Sequence, residues 1–433
     1  MRPAVAALLL AWLLPMAAHA TPAPSVARDV LANGMAVIVR EDPASEVVAM
    51  SLQARGGSLF ETADTAGITN LLTRVMVRGT ARHTALQLAE RVEDLGGTLE
   101  ASGEVETAEI RGTALARHWE ALLAEIADVA LHPTLPPSEI VTERALILSQ
   151  IQTRADTPFP RAVDALMADL YGSHPYGRHS LGRRQSVQAL TREALLAHHA
   201  MLYRPQRLVL AISGNVVSRR ALAAAQRLFG QAAASGPAPV QHIATPTPRT
   251  EPRTVDAPAA QAQVLVAYLG PSSTDADYAA MRVLSAVLGG GMSGRLFQEL
   301  RERRGLAYSV SAVSSYRTGP GYLLAYVGTA PANATTAVRG VLAEIARVRA
   351  EPVGAREVER AKAYLLGNVA MDRRTNARHA WYLAFFEVVG AGWDWADRYV
   401  RALQAVTVED VARVAQRYLG EPTVVVLRPE AAS

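Results

Sequence analysis

The sequence predicts an α+β fold of two homologous α/β sandwich domains, each a mostly antiparallel sheet with helices packed on one face. Three segments of the first half recur, in the same order and at nearly constant spacing, in the second half. The pairs are 122–133 with 341–352, 138–148 with 356–366, and 190–212 with 406–427. Strands follow strands and helices follow helices within each copy, which favours α+β over an alternating α/β arrangement.

Strands are predicted where β-prone apolar residues alternate with polar ones. A hairpin with an Asn33-Gly34 turn opens the first domain. The strand "EVVAMSLQARGG" follows, and its counterpart in the second domain is "AQVLVAYLGPSS". The strands "TLEASGEVETAEIRGTA" and "RLVLAISGNV" complete the first sheet. Apolar residues at three- and four-residue spacing predict helices over 66–77, 85–95, 119–129, 138–153, 160–170 and 192–201.

Two compositional breaks define the domain boundaries. Residues 1–20 combine one arginine, a short apolar run and a final Ala-His-Ala, which is typical of a cleaved signal peptide. A retained N-terminal anchor is the alternative, but the run is too short to span a bilayer. Residues 232–254 are rich in Pro, Ala and Thr and are predicted to link a domain over 21–231 to one over 255–433.

Composition indicates an exported globular protein. Hydrophobic residues make up 50% of the chain, and cysteine is absent, so an exported form would depend on its core and not on disulfides. The formal net charge of +4 is too small and too evenly spread to indicate nucleic-acid binding. With the signal peptide, these features predict a periplasmic protein with no membrane span after cleavage.

The helix predicted over 66–77 has a polar stripe with an unusual spacing. Asn70 and Arg74 lie one turn apart, and Thr73 lies beside them. In zinc peptidases, two histidines at this spacing hold the metal while a glutamate between them activates water. The spacing therefore matches a catalytic helix, although the residue types do not.

The surrounding stretch "GGSLFETADTAGITNLLTRVMVRGT" resembles the opening of the pitrilysin/insulinase family of inverted-motif zinc peptidases, which includes the mitochondrial processing peptidases. The frame of that motif is kept at Gly57-Ser58, Glu61, Gly67 and 78–80. The resemblance extends over essentially the whole chain after the signal peptide. It implies that Asn70 and Arg74 replace the two zinc-binding histidines and that Thr73 replaces the catalytic glutamate.

The same resemblance locates the third zinc ligand. The segment "ERALILSQI" keeps Glu143, but Ser149 and Gln150 stand where carboxylates are expected, and Gln150 is the better match. Amides and hydroxyls are poor zinc ligands, and the guanidinium of Arg74 repels a cation. We therefore expect a degenerate site that binds no metal in this chain.

The histidines elsewhere in the chain do not form a replacement zinc site. His198 and His199 are adjacent and have no glutamate at useful spacing, whereas His174 and His179 lie in a family-like loop and are interpreted as structural.

A second motif is intact. The segment "LRERRGLAYSV" resembles a stretch in which family members carry an Arg and a Tyr seven residues apart, supplied by the half of the assembly that lacks zinc. The resemblance assigns these roles to Arg301 and Tyr308, which would act in trans at a partner's zinc site. The structural alternative is that Arg301 pairs with Glu299 or Glu302 while Tyr308 packs in the sheet. The nearby "LGGGMSG" is either a loop that lets substrate or partner approach, or a plain turn.

These patterns predict a zinc-free subunit of a heterodimeric periplasmic metallopeptidase. Its partner would be a homologous chain with the His-x-x-Glu-His motif and the zinc, and the substrate would be unfolded peptide. The alternative is a structural or peptide-binding subunit without a catalytic role, as in the core proteins of respiratory complexes.

Overall fold

The computed structural model describes residues 24–233 and 243–430. We call the part from β1 to α8 the first unit. Its strands are Ser25–Val30 (β1), Ala36–Glu41 (β2), Val47–Arg55 (β3), Thr98–Gly103 (β4), Thr107–Leu115 (β5) and Leu208–Gly214 (β6). Its helices are Ile68–Met76 (α1), Ala85–Asp94 (α2), Trp119–Leu131 (α3), Pro137–Asp156 (α4), Pro158–Tyr171 (α5), Arg184–Ala189 (α6), Arg192–Leu202 (α7) and Ser218–Phe229 (α8).

The second unit runs from β7 to β11. Its strands are Arg253–Ala257 (β7), Ala262–Gly270 (β8), Ser309–Ser314 (β9), Gly321–Thr329 (β10) and Thr423–Pro429 (β11). Its α-helices are Tyr278–Gly289 (α9), Ala334–Ala350 (α10), Ala355–Asp372 (α11), Asn376–Val388 (α12), Trp395–Ala405 (α13) and Val408–Tyr418 (α14). A π-helix covers Phe297–Arg303, between α9 and β9.

The two sheets have matching strand orders, so the sequence repeat is also a structural repeat. The first sheet runs β1-β2-β6-β3-β5-β4, and the second runs β7-β11-β8-β10-β9. Each contains one parallel pair, β2 with β6 and β7 with β11, and the other neighbouring strands are antiparallel. The prediction of an α+β protein with two mostly antiparallel sheets is confirmed.

The predicted signal peptide over 1–20 lies outside the described residues, as do residues 234–242 of the predicted linker. Strand β7 begins at Arg253, within the last residues of that linker. No helix in the described part of the chain is both long and apolar enough to cross a membrane.

Each sheet also has a helix of the other unit on its second face, which the sequence prediction of helices on one face did not include. Val37 and Val39 belong to the main core of the first unit, whereas Ile38 belongs to a cluster with α12. Alternate residues of a strand point to opposite faces, so α12 lies opposite the first unit's own helices. Reciprocally, α5 packs on β8 and β11. The helices α5 and α12 occupy equivalent places in the repeat, after α4 and α11, and they join the two units.

This exchange leads to a stability prediction. Ala384 of α12 is fully buried against the first sheet, in the cluster that contains Val209 and Ala211. A larger side chain has no space there, so Ala384→Leu is expected to lower the free energy of unfolding by about 1–3 kcal/mol in urea titrations. Ala377→Leu, at an exposed position of the same helix, should change it by less than about 0.5 kcal/mol. Equal effects of the two substitutions would contradict this packing.

Candidate functional site

A buried carboxylate caps the beginning of α1. Glu61 is 2% exposed, and its two carboxylate oxygens accept hydrogen bonds from the backbone N–H of Gly67 (2.8 Å) and of Thr69 (3.0 Å). Gly67 has a φ of +93°, and a Cβ there would lie 2.6 Å from the carbonyl oxygen of Leu181. Glu61 and Gly67 therefore hold the helix in place and need no direct part in chemistry.

The two stripes of α1 have different surroundings. The apolar stripe is buried in the core of the first unit and consists of Ile68, Leu71, Leu72, Val75 and Met76. On the polar stripe, Asn70 is 9% exposed, and its Oδ1 has no hydrogen-bond partner among the described residues. Thr73 is fully buried, and its hydroxyl donates to the carbonyl of Thr69 (3.0 Å) or of Asn70 (3.1 Å). A hydroxyl bonded back to its own helix cannot act as a base toward water.

Helix α4 brings the predicted third position to Arg74. The guanidinium of Arg74 donates from Nη2 to Oε1 of Gln150 (2.6 Å), and its Nη1 lies 3.7 Å from Oε2 of Glu143. Arg78, one turn further along, donates from Nε to Oε1 of the same carboxylate (2.8 Å). The structure thus brings Arg74 and Gln150 together, and the buried carboxylate of Glu143 forms ion pairs with both Arg74 and Arg78.

These residues do not fit a zinc ion. A guanidinium lies between the helices, with an amide and a carboxylate as its partners, and its positive charge is permanent. Within residues 24–233 and 243–430, no group of three or more His, Asp or Glu side chains is arranged to hold a metal. Arg74 and Arg78 supply the positive charge that balances the buried carboxylate of Glu143.

Arg301 lies on the π-helix, and Tyr308 follows it directly before the edge strand β9. The Nη1 of Arg301 donates to the backbone carbonyl of Tyr308 (3.1 Å), and its guanidinium lies 5.0 Å from the ring centroid of Phe297. Glu299 pairs instead with Arg303 and Arg304, so the structural alternative of a pair with Glu299 is not found.

Tyr308 does not pack in the sheet. Its side chain is 61% exposed, and its hydroxyl has no hydrogen-bond partner in the described part of the chain. No described hydrogen bond or ion pair joins Arg301 or Tyr308 to α1. The Tyr308 hydroxyl and the remaining donors of Arg301 are therefore open to solvent.

The glycine-rich segment begins at the end of α9, and that helix end packs against the same edge strand. A Cβ on Gly289 would lie 1.9 Å from the backbone nitrogen of Ala312 in β9, so glycine is required for this close approach. Met292 at the tip of the loop is 74% exposed.

A cavity of about 870 Å³ lies between the two units and was not predicted from the sequence. The turn between β4 and β5, strand β5 and helix α5 of the first unit line one side, and α9, α12 and α13 of the second unit line the other. The segment "HAWYLAFFEVVGAGWDW", dense in aromatic residues in a chain with only 6% of them, is the sequence signal that could have indicated this wall. His179 also lines the cavity, and its Nδ1 accepts the backbone N–H of Leu181 (3.1 Å).

His198 supports α1 from behind. Its Nε2 lies 3.0 Å from Oγ1 of Thr69, and burial lowers its pKa to about 4. His379 on α12 likewise has its pKa lowered to about 4, first by burial and then by the charge of Arg40. Neither histidine is a ligand candidate for a metal, but both bear on acid stability.

Acid is expected to destabilise the fold through these histidines. The unfolded chain binds their protons below about pH 6.5, whereas the folded chain resists protonation until about pH 4. Stability present above about pH 6.5 is therefore lost as the pH falls toward about 4. Urea midpoints of the His198→Gln variant should depend less on pH across this window than those of the wild type. His132→Gln, at an exposed position, is the control, and equal pH dependence of His198→Gln and wild type would contradict the prediction.

Two family models match the chain. The model described as insulinase (peptidase family M16) matches residues 36–184, and the model described as peptidase M16 inactive domain matches residues 189–365. Together they cover most of the first unit and the second unit as far as α11.

Similar proteins span nearly the whole chain. An uncharacterized zinc protease of Mycobacterium tuberculosis is 29% identical over 411 residues, which cover 94% of each chain. An uncharacterized zinc protease of Bacillus subtilis is 26% identical over 389 residues, covering 90% of this chain and 94% of the relative.

Solved structures show the same fold. A protease from Helicobacter pylori superposes with a TM-score of 0.87 at 20% identity, over 94% of this chain and 100% of the other. The peptidase M16 inactive domain from Pseudomonas fluorescens has a TM-score of 0.87 at 25% identity, over 94% of this chain and 99% of the other.

Proposed function

Because the chain belongs to the insulinase (M16) peptidase family, we propose that it is the zinc-free subunit of a heterodimeric periplasmic metallopeptidase. A homologous partner chain supplies the zinc site, and this chain supplies Arg301 and Tyr308 to it. The observation that carries the proposal is a contrast within one molecule. Arg74 is paired with Gln150 at α1, whereas the Tyr308 hydroxyl and further donors of Arg301 lie exposed at the surface.

The chemistry assigned to the pair follows from its charges. When water attacks a peptide carbonyl, negative charge develops on the carbonyl oxygen. The Tyr308 hydroxyl donates a hydrogen bond to that oxygen, and the Arg301 guanidinium holds a neighbouring substrate carbonyl. Tyr308 directly precedes β9, which is an edge strand of its sheet. A substrate peptide added to an edge strand would run past the hydroxyl.

Location in the periplasm rests on the signal-like residues 1–20 and on the absence of cysteine. Osmotic-shock release of the tagged full-length chain tests it, and recovery in the spheroplast pellet would contradict it.

Co-expression tests the function itself. The partner is a similarly sized exported chain with the His-x-x-Glu-His motif, encoded beside this one. We expect the purified pair to contain about one equivalent of zinc and to cleave a fluorogenic unfolded peptide, and this chain alone to do neither. If the partner alone cleaves as fast as the pair, this chain has no catalytic role, and the structural or peptide-binding function is favoured.

A further inference from the structure

The cavity between the units has an aromatic wall. Ten aromatic side chains line it, although aromatic residues make up only 6% of the chain. Trp381 and Phe385 of α12 are stacked with ring centroids 4.6 Å apart, and Tyr316 meets both rings edge-on. Tyr316 is 49% exposed, so part of this wall is open to an incoming group. Aromatic rings of a ligand gain area and ring contacts on such a surface.

Arg282 of α9 places a positive charge in the same wall. Its Nε donates to the hydroxyl of Tyr399 (3.2 Å), and its Nη1 donates to the carbonyl of Ser314 (2.7 Å). Ser314 is two residues before Tyr316, so the guanidinium lies beside the aromatic wall. A guanidinium has five N–H donors, and these two bonds leave donors unused. No carboxylate within the described residues forms an ion pair with Arg282, and its hydrogen-bond partners are the neutral Tyr399 hydroxyl and a backbone carbonyl.

Most acidic side chains of the cavity are hydrogen-bonded or ion-paired to groups other than Arg282. Their main partners are Arg154 for Asp164, Arg378 for Asp372, Ser51 for Glu109, and Tyr176 and Thr318 for Glu106. Glu104 lies near Arg317. A largely buried cation without an opposite charge is costly, and an anionic ligand would remove that cost. The wall therefore combines an aromatic surface with an uncompensated cation.

We propose that this cavity binds peptides that carry an aromatic side chain next to a carboxylate. The ring packs against the half-exposed Tyr316, beside Trp381, and the carboxylate pairs with Arg282. The carboxylate is that of an acidic side chain or of the peptide's C-terminus. The inference rests on the proposed function, since the ligand is taken to be substrate peptide, but it requires no zinc and no partner chain.

Binding to the purified full chain tests the proposal. The probes are short acetylated Gly/Ser peptides that contain Phe-Glu, Phe-Gln or Ala-Glu and end in an amide, and a fourth that ends in Phe with a free carboxylate. Calorimetry gives the affinity, and quenching of the cavity residues Trp381 and Trp395 reports the location. The Phe-Glu and free-acid probes distinguish the two sources of the carboxylate.

We expect the Phe-Glu or the free-acid probe to bind at least about tenfold more tightly than Phe-Gln and Ala-Glu. Arg282→Gln should abolish the preference for the carboxylate. Arg144→Gln is the matched control, because Arg144 also donates to backbone carbonyls but lies outside the cavity. Tyr316→Ala, at a half-exposed position, should weaken Phe-Glu binding several-fold.

Equal affinities of the carboxylate and amide probes for the wild type would overturn the proposal, as would an unchanged preference in a folded Arg282→Gln variant. Absence of binding by all four probes would overturn it as well. Hydrolysis by the pair is measured separately, so failure here leaves the proposed function standing. An inactive pair with intact probe binding would reject only the proposed function.

Discussion

Replacing Asn70, Thr73, Arg74 and Gln150 by His, Glu, His and Glu is expected to turn a chain without zinc into one that binds about one equivalent. Positions 70 and 74 lie one turn apart on α1, and Arg74 already reaches Gln150 of α4 at 2.6 Å. The backbone therefore holds the three ligand positions close together, and only the side chains lack affinity. Removal of the guanidinium also removes the charge that excludes a cation.

Equilibrium dialysis followed by elemental analysis measures the stoichiometry. The matched control keeps Gln150 and carries only the other three changes, and it should bind zinc more weakly because an amide is a poor ligand. Zinc retained by the wild type after dialysis would contradict the conclusion that the positive charge of Arg74 excludes a metal from this position. A folded quadruple variant that binds none would show that the helices are not spaced as a zinc site.

Arg301→Ala or Tyr308→Phe in this chain is expected to lower kcat/KM of the assembled pair about 100-fold, or about 2.7 kcal/mol of transition-state stabilisation. Each change removes one donor to the reacting peptide, while the zinc content of the partner stays the same. Steady-state cleavage of a fluorogenic peptide, with zinc measured on the same samples, provides the comparison.

The control for this series is Arg303→Ala. Arg303 lies on the same π-helix and pairs with Glu299, so its loss should alter kcat/KM by less than about twofold. Unchanged rates in both the Arg301 and Tyr308 variants would contradict the catalytic role assigned to these residues. Loss of rate together with loss of the partner from the complex would indicate an assembly role instead.

Local patterns were sufficient for much of the fold. The offset between repeated segments predicted two units, and strand and helix periodicity placed β3, β8 and α1 within a few residues of their observed bounds. Residue chemistry alone predicts no zinc at positions 70, 73 and 74, because an arginine, a threonine and an asparagine cannot do what histidine and glutamate do. The exposure of Tyr308 and the partners of Glu299 could not be predicted from the sequence, since the spacing alone allowed Arg301 to pair with Glu299.

The sequence by itself determined the elements and their repetition, and it predicted that positions 70, 73, 74 and 150 carry no zinc ligands, because those properties belong to residue types and local periods. Only the tertiary structure decided that α5 and α12 each pack on the sheet of the other unit, that Arg74 contacts Gln150, and that Arg282 lies beside an aromatic wall. These contacts join residues far apart in the chain. Which apolar face meets which sheet depends on the packing of both units at once, and no local period encodes that choice.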